Sequence, residues 1–548
     1  MEFNVAEVHE ALAREFPDRE CIVFRDRRLT WAQVNERTRR LANFLLGRGL
    51  GAHRERSELK GWESGQDHLA LYLHNGNEYL EGMIGAYKAR VAPFNVNYRY
   101  VEDELLYLLN DARARAIVYH SRFAPTLEKV RSSIPSLEVL IQVDDDSGNA
   151  LLPGAIRYEE ALGQSSPERP EVAWSPDDLY ILYTGGTTGM PKGVLWRQAD
   201  VFVGAFQGRR RNGDEFASVD EILTNARSSR ENRVLPAPPF MHGAAHWAAF
   251  ANFLSGNPVI VQSDPPRLDA RELLELVERE RVTVLLIVGD AFARPILDEL
   301  GRRAYALSSL GVVISGGAAL NATHKREFLE RLPALRLVDS IGSSEAGHQG
   351  QNISAAGQAV GTGTFQPGFG SCVLSEDLTR LLAPGDPELG WFAKRGRVPL
   401  GYLNDAAKTA RTFPVVDGVR YSVPGDRARQ RADGGIDVHG RDSVTINSGG
   451  EKVFAEEVEH ALKSHASVYD AVVVGRPSER WGEEVVAIVR LRGGQTASAQ
   501  ELIDGCAAHL ARFKLPKDVL FCDEIVRSPS GKADYRWAKE QARARRGA

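Results

Sequence analysis

Short apolar, β-branched runs alternate with stretches of helical periodicity along most of this chain, and that alternation restricts the fold more than any other feature. A strand-like run at 69–73 is followed by helix 77–90, strand 91–96, helix 101–111, strand 116–119, helix 123–130 and strand 139–143. The pattern resumes with helix 242–254, strand 258–261, helix 269–280 and the central-strand runs VTVLLIV (282–288) and GVVIS (311–315). Within 269–280, Ala270, Leu273, Leu274 and Val277 share one helical face and Asp269 is placed as the N-cap. Val5, Val8, Leu12 and Phe16 mark an N-terminal helix, and 29–46 reads as another. Strands joined through helices form mostly parallel sheets with both faces covered. The fold class is therefore α/β. Polar, glycine-rich residues 48–67 and 144–154 read as loops.

Past residue 397 the texture changes to short strands and turns, with a hairpin ending at Arg441. Beyond it come a helix carrying Phe454, Val458, Ala461 and Leu462, the strands YDAVVVG and EEVVAIVRL, and a helix at 499–513. That is a small α+β domain following a large N-terminal one. At 548 residues the chain exceeds one ordinary core. The expected division is 1–441 and 442–548, with a hinge at Asp442–Ser443 that leaves the small domain mobile.

Apolar residues make up 43% and charged residues 26% of the chain, as in a soluble globular protein. A net charge of −5 and a pI near 6.3 give no reason to expect a nucleic-acid partner. Cys21, Cys372, Cys506 and Cys522 are too scattered for a metal knuckle and too few for a disulfide framework, which fits a reducing cytoplasm. No apolar run is long enough to span a bilayer, and the N-terminus lacks a signal-peptide core. Peripheral contact with a membrane stays compatible with this composition, and oligomeric state is not legible.

Between two strand-like runs lies YTGGTTGMPKG, residues 183–193. Gly185, Gly186 and Gly189 permit close backbone approach, Thr184, Thr187 and Thr188 add hydroxyls, and Lys192 adds a compact positive charge. Backbone N–H groups, hydroxyls and one ammonium suit a phosphate chain, whereas a flexible linker rarely sits between strands. A Walker loop is excluded, because Met190 and Pro191 separate Gly189 from Lys192 and the following VLW prefers strand to helix. The eleven residues instead resemble the signature loop of the adenylate-forming superfamily: acyl-CoA synthetases, luciferases and peptide-synthetase adenylation domains. In that family the loop holds the phosphates of ATP.

Further segments extend the resemblance over nearly the whole chain, and it is closest to actinobacterial fatty-acid and sterol-side-chain CoA ligases. His242 in PAPPFMHGAAHW matches an acyl-pocket position, with the small Gly243 beside it. Gly316, Gly317 and Ala318 in SGGAAL resemble the segment flanking adenine. DSIGSSEAG resembles the next signature. There Asp339, Ile341, Gly342 and Ser344 fall at nucleotide positions, and Glu345 at the carboxylate that holds Mg²⁺. Ile341 departs from the aromatic residue common at its position, and Ser344 from the usual Thr. Asp426 in YSVPGD and Arg441 in HGRD match the ribose-binding pair. Gly449 in TINSGGEKVF matches the glycine lining the pantetheine tunnel, which puts Ser443 at the hinge where Asp or Lys is typical. Lys532 in SPSGK matches the adenylation lysine.

The resemblance implies a two-step ligase that uses ATP and Mg²⁺, activates a medium- or long-chain fatty acid or sterol-side-chain acid as acyl-AMP, and transfers it to CoA. The other readings are an adenylation enzyme loading a carrier protein, a luciferase-like oxidase, and a nucleotide-binding regulator without chemistry.

Overall fold

The computed structural model of the chain describes residues 1–545 other than 187–188, 211, 264–267, 359, 449–450, 479–480, 508 and 529–530. Thr187, Thr188 and Gly449 thus lie outside the described residues.

Two large sheets build the N-terminal part. The first runs in parallel register through Glu20–Phe24, Val259–Val261, Val234–Pro236, Val284–Ile287, Val312–Gly316 and Arg336–Ser343. From there its neighbours are antiparallel, passing through the hairpin Asp426–Gln430 and Ile436–Arg441 and on to Gly390–Arg395, Val419–Ser422 and Val415–Val416. The second pairs His68–Tyr72, Ala92–Asn95, Ala114–His120 and Val139–Val143 in parallel, and adds the antiparallel hairpin Leu179–Gly186 with Gly189–Arg197. The parallel expectation thus holds for the crossover segments and gives way at the hairpins, where a short turn joins consecutive strands.

The helices Val5–Glu15, Trp31–Gly47 and Asn77–Lys88 lie between the sheets. Their apolar faces share one core with Ile22 and Val259 of the first sheet and Leu69, Val118 and Val194 of the second. Trp31–Gly47 begins later than the spacing suggested, because Thr30 closes a capping box with Gln33 and Leu29 pairs with Ile22 in a strand. Asp269 does cap its helix, accepting from the Arg271 and Glu272 amides. The stretch 48–67 is no free loop. The Gln66 amide donates to the Arg90 carbonyl at 2.8 Å, and the Trp62 carbonyl accepts from Asn404 N at 2.9 Å.

After Arg441 comes a one-turn helix, Asp442–Val444, and then a separate five-stranded sheet whose long hairpin is Val468–Ser478 with Gly482–Leu491. Its helices Ala455–Lys463, Ala499–Ala507 and Tyr535–Ala544 cover both faces. The helix expected to reach 513 stops at Ala507.

Candidate active site in the cleft between the domains

Of the phosphate-loop candidates, Thr184, Gly185, Gly186, Gly189 and Lys192 belong to the hairpin Leu179–Gly186 and Gly189–Arg197, where Thr184 lies opposite Lys192 and Gly186 opposite Gly189. Asn95 fixes the base of that hairpin. Its amide donates to the carbonyls of Tyr183 at 2.8 Å and Met241 at 2.7 Å, and its oxygen accepts from Tyr183 N at 2.7 Å. One buried side chain thereby ties the loop to the segment that carries His242. The Lys192 ammonium meets Asp405, the N-cap of Ala406–Thr412.

Glu345 sits in the tight turn between Arg336–Ser343 and Gly347–Ser354. Gly342 allows that turn, since a Cβ there would stand 2.4 Å from the Gly347 carbonyl oxygen. Tyr402 Oη donates to Glu345 Oε1 at 2.8 Å, Ser422 Oγ donates to the Glu345 carbonyl at 2.6 Å, and Trp196 Nε1 donates to the Ser344 carbonyl at 2.9 Å. The carboxylate is therefore oriented from one side and keeps Oε2 for another partner. Among the described residues no three acidic, His or Cys side chains group as a metal cage. A single held carboxylate suits Mg²⁺, which binds through one or two carboxylates together with substrate phosphates.

Asp426 and Arg441 are cross-strand partners, with Nε and Oδ1 3.3 Å apart. Gly316 ends its strand and Gly317 follows at φ +87°, a backbone conformation that disfavours a side chain. A Cβ on Gly317 would stand 3.9 Å from Lys532 Cε, so the lysine of the small domain enters over the edge of the large sheet. The surrounding protein, and then the Arg441 charge, lower the Lys532 pKa, while Glu345 and Asp426 oppose them. The lysine turn is braced from behind. Lys532 N donates to Ser528 Oγ at 3.2 Å, and Arg527 donates to the Gly531 carbonyl at 2.9 Å while bonding Asp470 at 2.7 and 2.8 Å.

His242 precedes the helix Gly243–Phe253, and its Nε2 is buried without a hydrogen-bond partner among the described residues. Burial, then the Lys532 charge, pull its pKa down to about 3, so the imidazole is neutral.

Three expected site residues take other places. Asp339 is 6% exposed and bound to Lys325 at 2.6 Å, so its carboxylate neutralises a buried ammonium instead of facing the cleft. Ile341 packs against the cluster of Phe392 and Ile436. At Gly243 a Cβ would meet Leu182 at 2.9 Å and Trp247 at 3.0 Å, so the glycine admits those side chains. Ser344 and Ala318 flank the turns already described, and Asp442 and Ser443 fall in the one-turn helix Asp442–Val444. Asn95, Tyr402, Asp405, Arg527 and Asp470 escaped sequence reasoning. Only Asp405 carried a local signal, as an N-cap ahead of a helical stretch.

Residues 9–397 match the AMP-binding enzyme family, and residues 457–532 match the AMP-binding enzyme C-terminal domain. The chain is 53% identical over 541 residues to the medium-chain acyl-CoA ligase Mig of Mycobacterium avium, covering 98% of each. It is 41% identical to the 3-oxocholest-4-en-26-oate–CoA ligase of Rhodococcus rhodochrous, covering 99% of this chain and 96% of the relative. Among solved structures it superposes on the anthranilate CoA ligase AuaEII in complex with anthranoyl-AMP, with TM-score 0.82 at 21% identity, covering 99% and 98% of the two chains. ATP-bound MatB from Rhodopseudomonas palustris gives TM-score 0.79 at 22% identity, with 99% of each chain covered. The chain belongs to the AMP-binding enzyme family and is an acyl-CoA synthetase of the adenylate-forming superfamily, an ATP-dependent acid–thiol ligase.

Proposed function

We propose that the enzyme activates a medium-chain aliphatic carboxylate. The convergence of Lys192, Glu345, Asp426, Arg441 and Lys532 on one cleft carries the chemistry of this reading. The substrate class rests on the medium-chain ligase at 53% identity across nearly the whole chain.

A carboxylate is a poor acyl donor because its leaving group would be oxide. Attack of its oxygen on the α-phosphorus of ATP forms acyl-AMP and expels pyrophosphate. The hairpin loop with Lys192 cradles the outgoing phosphates, Asp426 and Arg441 hold the ribose, and Lys532 faces the charge growing at the α-phosphate. Glu345 would hold Mg²⁺, which neutralises phosphate charge when bound. The CoA sulfur then attacks the acyl carbonyl, AMP leaves with the bonding electron pair, and the thiol proton passes to solvent. Neutral His242, beside the acyl path, adds no charge to repel an apolar chain.

Lys532 and Gly449 both belong to the small domain, divided here from the large one at residues 441 and 442. We assign Lys532 to the adenylating arrangement and Gly449 to a second arrangement reached by rotation at Asp442–Ser443. Use of ATP and CoA as co-substrates supports a cytoplasmic location, and the four free cysteines accord with that. Among the described residues no helix is long and apolar enough to cross a membrane. An apolar acid would be met at a lipid surface, which makes peripheral contact part of this reading.

The test is pyrophosphate release screened over acetate, medium and long fatty acids, aryl acids, sterol-side-chain acids and amino acids. Highest kcat/KM with the medium-chain acids is expected. Preference for acetate or an amino acid would sink the assignment.

A further inference from the structure

A cavity of about 820 Å³ is lined by none of the residues assigned to the cleft that holds Lys532. Lys394, Arg395 and Arg420 line it together with Asp200 and Glu215, and among the described residues none of the three cations forms an ion pair with a carboxylate. Lys394 is 4% exposed, and its ammonium donates to the His348 carbonyl at 2.7 Å and the Gly204 carbonyl at 3.4 Å. Arg420 donates to the carbonyls of Pro399 and Leu400, each at 2.6 Å. Arg209 and Arg397 also line the cavity, but both are paired with Glu215. Leaving a lysine buried with dipoles and no counter-ion is costly. Burial and the Arg209 charge bring its pKa down to about 7, as expected of an ammonium lacking an anion.

The rim of the same cavity is apolar and open. Phe369 is 58% exposed and Val419 37% exposed, and both line it. Val415, 65% exposed, is paired with Arg420 across the short hairpin Val415–Val416 and Val419–Ser422. A soluble anion would satisfy the cations and leave this rim in water. An amphiphile satisfies both, with its anionic head inside and its chains against the rim.

We propose that this cavity docks the enzyme on an anionic phospholipid surface, taking a phosphate headgroup against Lys394, Arg395 and Arg420 while Phe369, Val415 and Val419 enter the acyl boundary. The proposal deepens the reading of a lipid-like acid substrate, yet its binding needs neither ATP nor substrate, so the two fail separately.

The experiment is co-sedimentation of the full chain with vesicles of phosphatidylcholine alone and of phosphatidylcholine mixed equally with phosphatidylglycerol. The expected result is binding to the mixed vesicles only, weakened by salt. Reversing one cationic group, Arg395→Glu, should weaken it about tenfold or more. Arg395 is exposed, so this variant keeps its fold, and Phe369→Ser probes the rim independently. No binding to either vesicle, equal binding to both, or binding indifferent to both substitutions would overturn the proposal. Glycerol 3-phosphate binding as tightly as the mixed vesicles would overturn it too, by making the cavity a site for a soluble phosphate.

Discussion

Around Glu345 a tyrosine holds the carboxylate while a serine and a tryptophan hold the backbone carbonyls of Glu345 and Ser344, each from a different strand, and an oriented carboxylate is what a metal would need. Tyr402→Phe removes the hydrogen bond to Oε1 while keeping the ring. Loss of such a supporting partner is worth about 10–100-fold in metal affinity or activity. We expect a higher Mg²⁺ requirement with an intact fold, read from adenylation rates over a magnesium titration. Glu345→Gln should slow adenylation more severely, and normal activity at normal magnesium would return Glu345 to a merely structural role. The residues carrying charge toward the cleft were legible because each sits in a short local pattern. Their supports were not, because they act across the chain: Tyr402 reaches Glu345 over 57 positions, Asn95 reaches Tyr183 over 88, and Asp405 reaches Lys192 over 213. Asp339 misled for the same reason, since its partner Lys325 sits on a separate helix that nothing in the DSIGSSEAG stretch announces.

Among the elements, the helices trapped between the two sheets depend on a buried charge cluster. Glu10 of Val5–Glu15 pairs with Lys88 of Asn77–Lys88 at 2.8 Å and with Arg39 of Trp31–Gly47. Lys88 is 0% exposed and Glu10 1% exposed. Glu10→Gln would leave the buried Lys88 with Asn35 and Thr38 as hydrogen-bond partners but without its carboxylate, at a cost of about 3–5 kcal/mol in stability. Burial raises the Glu10 pKa, but Arg39 and Lys88 outweigh it and hold the group at about 2, against an ordinary 4.5. Because the folded pKa is the lower one, this stabilisation is present above pH 4.5 and is lost as pH falls toward 2. Chemical-denaturation midpoints measured through that window should drop steeply for the natural protein and less steeply for Glu10→Gln. Equal slopes would show the pair to be unimportant. Hydrophobic periodicity revealed these helices but not their position between two sheets, since a helix apolar toward one neighbour and polar toward another reads as an ordinary amphipathic one.

Over the whole molecule, the small domain touches the large one at several points beyond the lysine turn, among them Lys452 with Glu376 at 3.3 Å and the Phe454 ring against His439. Tyr469 of the small domain lies between the guanidinium groups of Arg294 and Arg490, at 4.2 and 4.5 Å from its ring centroid, and Arg294 belongs to the large domain. Gly531 seats the lysine turn on Ala291, whose Cβ would stand 3.0 Å from an added one. Tyr469→Ala removes a cation–π contact worth about 0.5–2 kcal/mol. It should slow adenylation a few-fold and leave thioester formation from preformed acyl-AMP unchanged. The central claim is that Lys532 acts only while the small domain is closed in this arrangement, so that the two half-reactions separate. The direct measurement gives Lys532→Ala either ATP with acid, or preformed acyl-AMP with CoA, and follows both products. Loss of one transition-state donor of this kind costs about 3 kcal/mol or more, so adenylation should fall at least a hundredfold while acyl-CoA forms from the adenylate at nearly the natural rate. Equal loss of both steps would contradict the account.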